Sequence, residues 1–93
     1  MATMPAGPAT LNYGQVQCTG AGEVIRGLNT FRTSILIMNL SSDFVVWIGD
    51  GSVDLSAMPL PPGESIKLAC TGAVYGKCLP TEIAWVVYLE ESN

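Results

Sequence analysis

From Tyr13 onward the chain never sustains an apolar period of 3.6 residues. Its apolar residues fall in short continuous or alternating runs broken by turn signals. That pattern excludes a helical core and predicts strands near residues 14–19, 23–28, 33–40, 44–49, 64–70 and 82–90, with shorter extended pieces at 53–55 and 73–75. Gly20-Ala21-Gly22 turns the first strand into the second, and Ser41-Ser42-Asp43 joins the third to the fourth. Asp50-Gly51 is a hairpin-type dipeptide. Pro61-Pro62-Gly63 suits a type II turn with Pro62 and Gly63 at its two central positions. The expected fold class is all-β, a small antiparallel β-sandwich or barrel.

The strands divide by face. In residues 64–70 the alternation is clean, with Ile66, Leu68 and Cys70 on one side and Ser65, Lys67 and Ala69 on the other, as in a half-buried strand. Ser34-Ile35-Leu36-Ile37-Met38, Phe44-Val45-Val46-Trp47-Ile48 and Ile83-Ala84-Trp85-Val86-Val87-Tyr88-Leu89 are apolar on both sides. One face of each fills the core, and the other needs a cover, either an N-terminal arm or another subunit. Pro5 and Pro8, among small residues, oppose helix and central strand. Residues 1–12 are therefore expected to form an extended N-terminal arm, and 13–93 a single β-sandwich domain.

At 93 residues there is room for one hydrophobic core. Hydrophobic residues make up 48% of the chain and charged residues 13%, about half the roughly 25% usual in soluble domains. So low a charge fits a subunit that buries surface in an assembly, and so high an apolar content excludes disorder. Net charge is −4, and the four cations, Arg26, Arg32, Lys67 and Lys77, are spread singly. With no basic stripe, no direct nucleic-acid partner is expected. No apolar run approaches the roughly 18–20 residues that span a bilayer as a helix, so no membrane is expected either. The N-terminal residues have neither a positive n-region nor an apolar h-region, which reads as a protein made and used without export.

Catalytic constellations are scarce. Without histidine there is no imidazole base, and neither a Ser-His-Asp nor a Cys-His arrangement can be drawn. Most acids stand singly at strand ends and turns, where solvation explains them, so no enzymatic activity is expected. Cys18, Cys70 and Cys78 lack metal-binding spacing and read as thiols in a reducing compartment, with a Cys70–Cys78 bridge as the alternative. Asp50-Gly51-Ser52-Val53-Asp54 opens like an EF-hand loop, but Leu55 and Pro61 occupy the positions of its glycine and closing glutamate. A solvated hairpin explains it better, with an irregular calcium site as the other reading. No cofactor and no resident metal are expected. Asn39-Leu40-Ser41 is a sequon without an export signal. Cys18, Trp47 and Cys70 follow the immunoglobulin order with the wrong spacing, and Leu68 stands where the corner tyrosine should be. Among the aromatics, Trp85 is expected in the core, while Trp47 and Tyr88 are candidates for a buried contact with a partner.

The order of these features carries a resemblance. An apolar strand ending in Asn39 is followed by Val46-Trp47-Ile48-Gly49-Asp50-Gly51, Val53, Leu60-Pro61-Pro62-Gly63-Glu64-Ser65-Ile66, Ala73-Val74-Tyr75-Gly76 and Val86-Val87-Tyr88-Leu89-Glu90-Glu91. Over residues 34–91 this resembles small β-sandwich modules in virion proteins of tailed bacteriophages. Trp47 stands where such modules more often carry tyrosine. The resemblance implies a structural virion role, and a short chain with no stalk looks most like a capsid decoration (cement) protein on the capsid surface. The partners expected on that reading are the major capsid protein and further copies of this chain, and the arm and the doubly apolar strands offer the interface residues: Met4, Pro5, Pro8 and Leu11 reaching onto a neighbour, with Trp47 or Tyr88 at a buried contact. A host-glycan-binding tail or head-fibre module, or a head–tail connector component, is the alternative.

Overall fold

A computed structural model describes residues 10–93. It contains eight strands and, among the described residues, no helix: β1 (Thr10–Cys18), β2 (Glu23–Arg26), β3 (Arg32–Asn39), β4 (Val46–Gly49), β5 (Met58–Leu60), β6 (Ser65–Leu68), β7 (Val74–Lys77) and β8 (Ala84–Ser92). They form two antiparallel sheets of four, in the orders β1-β8-β3-β6 and β2-β7-β4-β5. The all-β sandwich expected from the apolar pattern is the fold observed.

The chain alternates between sheets, because nearly every strand buries one face and the two inner faces must meet. Only β4 and β5 are consecutive and paired, with Val46 opposite Leu60 and Ile48 opposite Met58. The segment opened by Asp50-Gly51 is accordingly a long loop, and residues 53–55 are not a strand. There Asp50 accepts from the amide and hydroxyl of Ser52, and Asp54 from those of Ser56. These bonds hold both exposed carboxyls below their ordinary range. β5 is an edge strand, where Pro59 leaves no ladder bond missing in the sheet interior. At residues 61–64 the expected type II turn is present: Glu64 N–H donates to the Pro61 carbonyl at 3.1 Å and Gly63 has φ of 75°.

Ile25, Ile35, Ile37, Val46, Ile48, Leu60, Val74 and Val86, with Cys18, Cys78 and Ala84, make the core. Cys18 and Cys78 are buried, Cys70 is half-buried, and all three are free thiols. Burial pushes the Cys18 thiol up to about 12, helped by the nearby Cys78 and Glu23, and burial also raises Cys78.

Two buried polar side chains at opposite ends of β3 close the sandwich where the apolar core runs out. Asn39 donates to the carbonyls of Phe44 and Leu60 at 2.8 and 3.0 Å and accepts from the Ser41 amide at 2.9 Å, fixing the β3–β4 loop and the end of β5. At the other end, Arg32 Nε donates to Glu90 at 2.8 Å. The Arg32 Nη atoms reach the carbonyls of Cys70, Gly72 and Gly27. Arg26 joins the same carboxylate at 3.1 Å, and Asn12 donates to it as well. Burial alone would raise the Glu90 carboxyl, but the hydrogen bonds from Arg26 and Arg32 and the field of Arg26 outweigh it, holding it at about 2. Glu90 thus departs from the expectation that acids at strand ends are solvated: its side chain is fully buried.

Candidate docking surface

The parity of β8 is the geometry that matters for function. Ala84, Val86, Tyr88 and Glu90 face the second sheet, so Trp85, Val87, Leu89 and Glu91 face outward. Cross-strand register then builds rows on the outer face of the β1-β8-β3-β6 sheet. Tyr13, Leu89 and Leu36 stand side by side, ending at Lys67. In the next row Gln15, Val87 and Met38 end at Ser65. Gln17 and Trp85 follow, with Leu40 held beside them by its amide bond to the Trp85 carbonyl. Adjacent strands lie about 4.8 Å apart, so a row crossing four strands is roughly 14 Å wide. Within it Tyr13 is 78% exposed and Trp85 47%, while Leu36 and Met38 are more than one-third exposed. Charge is confined to the rim, at Lys67 and Glu91. A large apolar patch with a polar rim is the surface type that marks protein–protein contact.

This corrects two expectations. Trp85, expected in the core, lies outside. Tyr88, expected at a partner contact, packs on the core, with its ring 5.3 Å from the Arg26 guanidinium and its hydroxyl accepting from Arg26 Nη1 at 3.3 Å. Trp47 is half-buried on the outer face of the other sheet, opposite Lys77 and Pro59. Trp47 and Tyr88 therefore do not share a surface. Leu11 is not part of an arm: β1 starts at Thr10, and Leu11 and Asn12 pair with Glu91 and Glu90. Leu11 points outward, 57% exposed, at the end of the apolar rows. Met4, Pro5 and Pro8 lie outside the described residues. The residues that sequence reasoning missed, Tyr13, Leu36, Met38 and Leu40, lie on or beside strands already flagged as apolar on both sides or, for Tyr13, at a predicted strand's edge.

A second apolar feature is a cleft of about 330 Å³ between β6 and the second sheet, lined by Ile66, Leu68 and Cys70 on one side and by Ile48, Met58 and Val74 on the other. Its volume is at the lower end of the roughly 300–1,000 Å³ range of small-molecule sites, and its lining offers almost no polar atom to orient a ligand. Among the described residues no group of three or more potential metal ligands converges.

Comparison with protein-family models, with curated proteins and with solved structures gave no significant match.

Proposed function

We propose that this protein is a structural subunit that works by docking rather than by catalysis, through the outer face of the β1-β8-β3-β6 sheet, and that its assembly is a tailed-phage capsid, where it acts as a decoration (cement) protein. The supporting observation is the apolar face itself: Leu36, Met38 and Trp85 stay exposed on two of the three strands that are apolar on both sides, with Leu40 just past the end of β3 and Tyr13 on β1 beside them. Exposing that much apolar surface on a 93-residue chain with 13% charged residues favours a permanent partner over a free monomer. The phage assignment rests on the resemblance of residues 34–91. In this reading the major capsid protein covers the face, and the subunit stabilises the shell by bridging neighbouring shell subunits.

The test is the copy number of this protein per purified particle, by quantitative mass spectrometry against the major shell protein. Abundance comparable to the shell protein supports decoration. A handful of copies would instead indicate a connector or tail component, and absence from particles overturns the virion reading. A paired binding experiment addresses the face: Leu36→Lys with Trp85→Lys should abolish particle binding while the folded β signal in circular dichroism is retained.

A further inference from the structure

A sandwich of two open sheets has four edge strands, and an unguarded edge is a template for pairing with another chain. Three of the four are guarded here. β2 has four residues, two of them charged, and a register break between Val24 and Arg26. β5 has three residues with Pro59 in the middle. β6 has four, with Lys67 among them. β1 differs in every respect: it has nine residues, Thr10-Leu-Asn-Tyr-Gly-Gln-Val-Gln-Cys18, with no charge and no proline, and its pairing with β8 runs without a break from Thr10 to Cys18. On its other side, alternate residues present backbone N–H and C=O groups with no strand to receive them among the described residues.

We infer that β1 pairs antiparallel with β1 of a second copy of this chain, joining the two β1-β8-β3-β6 sheets into one continuous eight-stranded sheet. The guards select the occupant. Between two copies, β1 against β1 is the one edge combination that meets no charge, proline or bulge, and it is isologous, so it closes at two subunits. An antiparallel two-fold at Gly14, the midpoint of β1, sets the outward side chains of Leu11 and Tyr13 of each copy opposite Gln17 and Gln15 of the other. The apolar rows of the two outer faces then run together across the junction. This inference rests on the edges alone and is independent of what covers the outer face.

The test uses the full chain. Sedimentation equilibrium from low to high micromolar concentration should give twice the 9.8 kDa chain mass. Tyr13→Lys with Gln15→Lys, at exposed outward positions that face each other across the junction, places like charges directly opposite and should weaken the dimer at least tenfold with no loss of folded signal. Hydrogen exchange supplies a readout that needs no variant: alternate β1 amides should gain protection as concentration rises. A chain that stays monomeric throughout overturns the inference. So does a dimer whose β1 amides exchange at a concentration-independent rate, or one broken by Leu36→Lys with Trp85→Lys but not by the two β1 substitutions.

Discussion

Replacing Glu90 with glutamine keeps the shape of the side chain and removes the one negative charge that two arginines share. Arg32 is fully buried at its side chain and cannot turn to water, so Glu90→Gln leaves a buried cation without its counter-charge. Breaking a buried pair on one side costs about 3–5 kcal/mol. A carboxyl held at about 2 against an ordinary 4.5 corresponds to a contribution on the order of 3 kcal/mol at neutral pH. Because the folded value is depressed, this contribution is complete above about pH 5 and is lost as pH falls toward 2. A domain of this size unfolds with a total of about 5–14 kcal/mol, so the substitution removes a large share and should lower Tm by roughly 12–40 °C. Urea denaturation followed by circular dichroism at pH 7 and at steps down to pH 2 measures both effects. The variant should unfold at lower urea with an unchanged m-value, and its stability should fall less steeply with acid than the wild type's. A variant within 1 kcal/mol of wild type, or one with the same acid limb, would refute the ion-cluster reasoning. Arg32→Met combined with Glu90→Leu should not restore stability. An isolated buried pair is often replaced by apolar residues without loss, but Arg32 also satisfies the carbonyls of Gly27, Cys70 and Gly72, which the double variant would strand.

Asn39→Ala should cost about 2–4 kcal/mol in urea denaturation, since it strands the carbonyls of Phe44 and Leu60 and the amide of Ser41. Gly20→Ala should destabilise by roughly 1–3 kcal/mol, because its Cβ would come within 2.5 Å of the Pro80 backbone, whereas Gly27→Ala, with open space at that position, should leave Tm nearly unchanged. A thiol-reactive dye should label one cysteine quickly in the folded protein, the half-buried Cys70, and three in urea without reductant. A count of one in urea would instead indicate a bridge.

The turn chemistry and the strand pattern were readable because both are local. Pro61, Pro62 and Gly63 carry their own φ preferences, and the period-2 alternation of Ser65 to Leu68 needs no partner to be visible. β5 was hidden because Pro59 argues against a strand in general and is acceptable at an edge, a property of the sheet rather than of the residue. The outer apolar face was half legible. The runs in β3 and β8 showed that a second apolar face existed, but not which side chains composed it.

That choice turned on one carboxylate. In a strand apolar on both sides, only a polar residue can reveal the parity, and β8 carries near its end Glu90 and Glu91, adjacent carboxylates of opposite parity that, read in isolation, both belong in water. The fold turns Glu90 inward because Arg26 and Arg32, 64 and 58 residues away in sequence, converge on it and make an ionised side chain stable inside. The all-β class, the turns and the surplus of apolar strand faces follow from the sequence by itself, since each depends on neighbours a few residues apart. The pairing of strands into two sheets, the inward turn of Glu90 and hence the exposure of Trp85 were decided only by tertiary structure, where charges distant along the chain meet.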